Sequence, residues 1–386
     1  MSHPLDRAPI TDVWAPPLPP PLPVGPDLHS ALPVLAAQGR WREVASRCRQ
    51  ATATDTAAAM SIAAYHLLAL VKLNILEEAA AELGKLGGDG GALGDAGGAS
   101  LGAGGTVVPF ALRRIRAELP YWLGRQEESI NRLYQLLEWC AEQEATAAAA
   151  ATAGTSSSGN EAAAAQRLWG RRHRDVLLTL VNRHCRGQQY PAALALLDRL
   201  LQLDGSDAEA WQEVGMVQAL LGDTAAAATS LQRMEHLLQQ QQQQEQQPGD
   251  ADSAAMATPQ LSAQQRQRLL HRNRGLLAIL QHDYRGAARE YQAALALDPT
   301  DATAANNHAL ALMYSNQLGE AVAALEAAFR RAPVALLQEP VVSNLASMLE
   351  LAASPTSLAE KRRFAGWVHT VAPDDFDISA TRTPGA

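Results

Sequence analysis

The sequence predicts an all-α fold assembled from stacked helical hairpins, and three observations carry that reading. Strand signals are missing, since no run of alternating β-branched or aromatic residues is bounded by hairpin turns. Apolar residues recur at helical spacing over 174–186, 191–203, 208–221, 224–238, 263–281, 286–297, 302–315 and 319–331. These helices are short, come in pairs, and the pairs repeat at 34 residues.

At that offset Gly275 answers to Ala309, Tyr284 to Leu318, Ala287 to Ala321, Tyr291 to Leu325, Ala294 to Ala328, and Asp298-Pro299 to Ala332-Pro333. One unit therefore covers 268–301 and the next 302–335; the same grid places units at 174–207 and 208–241. In the earlier pair, Tyr190-x-x-Ala193 opens a second helix and Trp211-x-x-Val214-Gly215 opens the following unit. Small residues at the eighth, twentieth and twenty-seventh places let the two helices of a hairpin approach closely, and large ones fill the grooves between them. Pro at the end stops the second helix and biases the residue before it away from helical backbone. Each hairpin alone leaves an apolar face bare, so the units must stack.

The remaining elements follow in order. Residues 1–28 read as a disordered Pro-rich leader, with Pro16 to Pro23 in polyproline II. Gly39-Arg40-Trp41-x-x-Val44-Ala45 reads as a turn and a second helix. Residues 57–86 make a hairpin with Leu76-x-x-Ala79-x-x-x-Leu83 on its second helix. Residues 108–140 make another, with Leu123-Gly124 at its turn and Ser129, Leu133 and Leu136 beyond; Pro120 should kink or end its first helix. Residues 339–352 and 357–370 form a degenerate closing hairpin with Pro355 in its turn. The ordered region is then 29–370, with 371–386 a flexible tail. Three low-complexity stretches, 87–105, 141–165 and 239–260, read as flexible insertions outside the core, because a loop costs little extra as it lengthens.

Composition narrows the function. With 386 residues, 47% of them hydrophobic, the chain can bury a sizeable core. A net charge of −8 argues against a nucleic-acid partner, which would need an excess of Lys and Arg to release counterions. The three cysteines, Cys48, Cys140 and Cys185, form neither a disulfide framework nor a CxxC site and suit a reducing cytosol. The first 30 residues lack an apolar signal core, and no run of about 18 apolar residues would cross a membrane, so a cytoplasmic protein without integral membrane insertion is expected.

Catalytic signatures are absent: there is no GxxxxGK[ST], GxGxxG after a strand, HExxH or GxSxG. His184 and Cys185 are adjacent, but neighbours on a helix point roughly 100° apart. No catalytic residue, metal or cofactor is expected. Two arginine clusters stand at the starts of first helices: Arg171, Arg172 and Arg174 beside His173, and Arg266, Arg268, Arg272 and Arg274 around His271. They read as solvated helix faces, with a patch for an acidic partner or a phosphoinositide headgroup as the alternative.

The repeat resembles the tetratricopeptide repeat (TPR), whose pattern of Trp, Leu, Gly/Ala, Tyr, Ala, Phe/Tyr, Ala and Pro it follows. The resemblance implies a right-handed superhelical TPR solenoid of seven or eight hairpins. TPR grooves can hold acidic C-terminal peptides through a Lys/Asn/Arg clamp. The matching positions here are Leu178 and Asn182, then Gln212, Glu213 and Met216; and later Arg272, Asn273 and Leu276, then Asn306, Asn307 and Leu310. Asn182, Arg272 and Asn307 are pieces of such a clamp, which Glu213 and Met216 would oppose. The candidate protein-binding residues are Asn182, Arg186, Gln212, Arg272, Asn306, Asn307 and Tyr314. Trp122, Trp139, Trp169 and Tyr314 are either interface anchors or buried packing residues.

Several stretches that a generic repeat does not require resemble the trafficking protein particle (TRAPP) complex subunit 12 family. They are Val107-Val108-Pro109-Phe110-Ala111-Leu112-Arg113, Ala117-Glu118-Leu119, Leu123-Gly124-x-x-Glu127-Glu128-Ser129, Arg167-Leu168-Trp169, Ala305-Asn306-Asn307 and Ser343-Asn344-Leu345-x-x-Met348-Leu349-Glu350-Leu351. Asp12-x-Trp14-x-Pro16 fits the approach to the ordered part. The similarity spans about 11–378. It implies a non-catalytic scaffold subunit of a vesicle-tethering complex in ER-to-Golgi transport and autophagy, peripherally at ER–Golgi intermediate or Golgi membranes. Its partners would be other subunits of that complex and, indirectly, a Rab-family GTPase. Animal members carry a long acidic N-terminal region that the short leader here does not match, so roles attached to it are not carried over. The alternative is a free-standing TPR adaptor that binds short peptides such as chaperone C-terminal tails.

Overall fold

The computed structural model describes residues 28–53, 55–87, 109–153, 156–246, 262–352 and 354–382. Among the described residues there are sixteen α-helices, one short 3-10 turn and no strand. They form two compact units that part between Leu203 and Asp204, with Pro373–Asp375 grouping with the first. The first holds α1 (Leu28–Ala37), α2 (Trp41–Gln50), α3 (Thr56–Lys72), α4 (Leu76–Gly87), α5 (Phe110–Trp122), α6 (Gln126–Ala153), α7 (Ser156–Arg186) and α8 (Tyr190–Leu203). The second holds α9 (Ala208–Leu221), α10 (Thr224–Gln246), α11 (Ala263–Leu280), α12 (Tyr284–Leu297), α13 (Ala302–Tyr314), α14 (Leu318–Arg331), α15 (Glu339–Leu351) and α16 (Pro355–Val371). Successive helices pair into hairpins, and within each unit neighbouring hairpins pack on one another.

One turn is used over and over. Gly39, Asn74, Gly124, Gln188, Gly222, His282 and Asn316 all have positive φ, between 56° and 89°. Each lies in the turn of a hairpin, and the second helix starts two residues later every time. The residue after each donates its N–H five residues back, as Arg125 does to Pro120 O at 2.8 Å and Asp283 to Ala278 O at 2.9 Å. That bond closes the last turn of the first helix in a Schellman-type cap. Gly is the cheapest residue for left-handed backbone and Asn the next, which explains five of the seven choices. The closing hairpin departs from this scheme: Ser354 caps α16 in a reciprocal box with Ser357, and Pro355 occupies the first helical position.

The small-to-large pairing expected from the repeat holds the hairpins shut. A Cβ on Gly275 would lie 2.8 Å from the Tyr291 ring, and one on Gly215 would lie 2.7 Å from Leu231. Ala309 and Leu325, both fully buried, occupy the same places in the next hairpin. First helices are opened by Asp207 and Asp301, whose carboxylates each accept the N–H of the third residue on at 2.9 Å.

The low-complexity stretches differ from expectation. Residues 141–153 continue α6, and 156–165 form the start of α7. Residues 239–246 continue α10, and Gly87 ends α4. Ala and Gln are good helix formers, so low complexity there extends helices rather than breaking them. The side chains described in 141–165 are half-buried or exposed, none of them in a core. The remainder of the 87–105 and 239–260 insertions and the leader up to 27 lie outside the described residues. The tail is also different: a 3-10 turn at Ile378–Thr381 follows α16, Thr381 is buried, and Phe376 and Ala380 pack on the closing core. Pro120 lies in the last turn of α5, which ends at Trp122.

Candidate protein-binding surfaces

The second unit places its candidate amides in a chain. Asn344 on α15 donates from Nδ2 to Asn306 Oδ1 at 2.7 Å. Asn306 donates to Asn307 Oδ1 at 3.3 Å, and Asn307 donates to the Tyr291 hydroxyl at 3.3 Å. Burial pushes the Tyr291 phenol up, and the bond from Asn307 partly offsets that. Asn306 and Asn307 are half-buried, so each keeps some capacity at the surface. The sequence reading missed Asn344 because it comes 38 residues after Asn306, off the 34-residue grid.

The second arginine cluster is not a solvated face. Arg268 pairs with Asp298, and Arg272 Nη1 lies 3.5 Å from Asp301 Oδ2. Arg274 Nε lies 3.3 Å from Glu235, His271 Nδ1 lies 2.8 Å from Glu290, and Arg266 is buried. Hydrogen bonds from the Thr300 hydroxyl, more than Arg268 itself, hold the Asp298 carboxyl below its usual range. Arg268, His271, Arg272 and Arg274 each meet an acid that folding brings from a neighbouring helix or turn. Asn273 is buried and donates to Leu231 O at 3.0 Å, which fixes α11 on α10.

The first cluster is likewise partly internal. The Arg172 guanidinium lies over Trp169 at 4.5 Å and Phe110 at 4.8 Å, and Arg113 lies over Trp139 at 4.4 Å. Trp139 and Trp169 meet edge to face at 4.9 Å. Loss of solvent lowers the pKa of both arginines, and the ring faces offset part of that cost. His173 is buried against Glu144 at 2.9 Å, while Arg171 stays exposed. Trp139 and Trp169 therefore act in packing.

Of the remaining candidates, Asn182 and Arg186 are exposed on α7, where Arg186 Nε donates to Asn182 Oδ1 at 3.2 Å. Gln212 is half-buried on α9, one turn before Met216 and two before Leu220, both exposed. Tyr314 is 60% exposed and stacks on Tyr284 with ring centres 5.3 Å apart. Trp122 is exposed beside Arg183, whose guanidinium sits 3.7 Å over Tyr121. Asn182 and Arg186 belong to the first unit and the other five candidates to the second. Among the described residues no group of three His, Cys, Asp or Glu is placed to hold a metal, and no helix is long and apolar enough to cross a membrane.

The family model of the tetratricopeptide repeat matches residues 180–259, and a second model of the same repeat matches 269–301. The chain carries tetratricopeptide repeats. It is similar to the mouse protein "Trafficking protein particle complex subunit 12", 28% identical over 282 residues. That match covers 72% of this chain and 33% of the mouse protein. The human protein of the same name is 27% identical over 254 residues, covering 65% of this chain and 32% of the human one. The TPR chain thus spans about a third of the length of the curated relatives it matches. Among solved structures, a tetratricopeptide repeat protein from Parabacteroides merdae is 12% identical with a TM-score of 0.37, covering 71% of this chain and 93% of that one.

Proposed function

We propose that this chain is a non-catalytic scaffold subunit of a TRAPP-like vesicle-tethering complex, acting in ER-to-Golgi transport and autophagy at ER–Golgi intermediate or Golgi membranes. The observation that carries this reading is the similarity to subunit 12 along 72% of the chain. Stacked hairpins suit the role, because they offer a long surface on a frame that needs no ligand to fold. Exposed apolar side chains on the second unit, Met216 and Leu220 of α9 and Tyr314 of α13, are the anchors this reading uses, with Gln212, Asn306 and Asn307 beside them. Asn182 and Arg186 serve in the same way on the first unit. The partners are other subunits of the complex and, through them, a Rab-family GTPase. Size-exclusion of a cell extract followed by mass spectrometry of the tagged protein tests it. Elution in a large particle with tethering subunits is expected; recovery of chaperones alone overturns it.

A second reading, a free-standing adaptor for short peptides, draws on the amide chain from Asn344 through Asn306 to Asn307. Arg272 weakens it, because its charge is directed to Asp301. Loss of a chaperone-tail peptide on Arg272→Ala would support the adaptor; unchanged binding of tethering subunits in the same variant would support the scaffold.

A further inference from the structure

A short segment from late in the sequence, Pro373–Asp375, belongs to the first unit and sits on its first hairpin. The Asp374 N–H donates to Gly39 O at 3.1 Å. The Asp374 carboxylate accepts the Arg42 N–H at 2.9 Å and lies 3.6 Å from Arg42 Nη1. The next carboxylate, Asp375, accepts from Lys72 Nζ at 2.8 Å, at the end of α3. The same ammonium stands 5.7 Å from the centre of the Trp41 ring, so acid, base and indole close one corner.

The corner is shaped for this segment. A Cβ on the turn glycines Gly124 or Gly222 would meet nothing within 4 Å, whereas one on Gly39 would lie 2.5 Å from Pro373 Cβ. Gly39 thus serves the left-handed turn and also leaves room for the proline. Helix α2 lacks a cap of its own. Where Asp follows the left-handed residue it caps the second helix, as Asp223 does through the Ala226 N–H at 2.9 Å and Asp283 through the Gly286 N–H at 2.8 Å. In the first hairpin that place holds Arg40, whose side chain makes no cap bond. Asp374 supplies the missing acceptor from 332 residues beyond Arg42, at the positive end of the helix.

What holds the segment is largely ionic and wet. The side chains of Arg42 and Lys72 are 79% and 44% exposed. Exposed ion pairs are weak and are screened by salt. We propose that Pro373–Asp375 is a releasable strap. Seated, it caps α2 and shuts the corner beside Trp41. Lifted, it uncaps the first turn of α2 and takes both carboxylates away from Arg42 and Lys72. The fraction lifted rises with ionic strength, and the two sides of the contact, the Arg42 and Asp374 amides, open together. The device lies within this chain and stands whether or not its partners are tethering subunits.

Amide hydrogen exchange of the isotope-labelled full chain tests it, read by NMR at about 50 mM and about 500 mM NaCl. At the higher salt the Arg42 and Asp374 amides should both exchange roughly threefold faster or more, and by the same factor. Ala226, capped from its own turn, is the internal control and should stay within about twofold. Lys72→Gln leaves the cap bond to Arg42 intact but loosens the strap, and should speed exchange at both amides by roughly two- to fivefold. Asp374→Ala should speed Arg42 by roughly tenfold at low salt and abolish its salt response. If Asp374→Ala does not fold, the salt response of the parent and the effect of Lys72→Gln decide. Arg42 exchange indifferent to salt and to Lys72→Gln, a response not shared by Asp374, or an equal response at Ala226 would make the contact a fixed cap and overturn the strap.

Discussion

Arg132 Nη1 donates to the main-chain oxygen of Arg116 at 3.0 Å, and that oxygen is the one Pro120 deprives of its helical donor. A proline in the last turn of α5 is thus compensated from the next helix. Arg132→Met should cost about 1–2 kcal/mol, the price of orphaning a partly buried carbonyl. In a Pro120→Ala background the restored N–H takes over, and the loss should shrink by about 0.5–1 kcal/mol. The bridge to Glu128 is present in both backgrounds and cancels from the cycle. Denaturant unfolding of the four proteins measures it; equal losses in both backgrounds would remove this role from Arg132.

Gly275 and Tyr291 test the small-to-large pairing. Gly275→Ala places a Cβ 2.8 Å from the ring and should destabilise by about 1–3 kcal/mol in spite of alanine's better helix propensity. Adding Tyr291→Leu recreates the Ala309 and Leu325 pair of the next hairpin and should recover part of that loss. Thermal unfolding followed by circular dichroism decides, and a double variant weaker than Gly275→Ala would refute steric conflict as the cause.

Glu326 makes stability depend on pH. Burial, with Glu360 adding repulsion and Arg330 opposing it, pushes its carboxyl from 4.5 up to about 7. The folded state then holds more protons than the unfolded one between those values. Stability therefore falls as pH rises from about 4.5 to 7 and stays lower above that window. Glu326→Gln should be more stable than the parent by on the order of 2–3 kcal/mol at pH 8 and gain nothing at pH 4. Urea unfolding at both values reads the difference, and a gain of equal size at both would exclude titration of this group.

The thiols divide by access. Burial pushes Cys140 up to about 12 and Cys48 up to about 11, so neither supplies thiolate near neutrality, whereas Cys185 is partly exposed. Ellman's reagent at pH 8 should find Cys185 alone in the native protein and all three after unfolding. Rapid native labelling of Cys140, identified by peptide mapping, would contradict the packing around it.

The hairpin frame was readable because its rules are local and periodic. Gly275 with Tyr291 and Ala309 with Leu325 follow from one offset, and Leu123-Gly124 marks a turn whose left-handed residue the structure confirms. The same turn at Gln188 and His282 uses residues with weaker preference for that backbone, so only its 34-residue recurrence at Gly222 and Asn316 could have shown it. Arginine pairing was not readable. Arg268 finds Asp298 thirty residues away, and Arg172 finds the Phe110 ring on α5, because partners that far apart in the chain are set by stacking. Composition likewise misled at 141–165, where alanine prolongs a helix that has another beside it. The surface candidates scattered across Asn182, Gln212 and Tyr314 had only the repeat grid behind them.

The pair α6 and α7, which links two successive hairpins, has arms of 28 and 31 residues where their hairpin partners α5 and α8 have 13 and 14. At about 1.5 Å per residue it reaches roughly twice as far as they do. None of the described side chains in its outer stretch is buried, so matched deletions in the two alanine runs would shorten its reach in small graduated steps while every repeat kept its register. That makes this overhang a ruler cut into the molecule, whose length can drift or be tuned independently of the contacts that hold the repeats together.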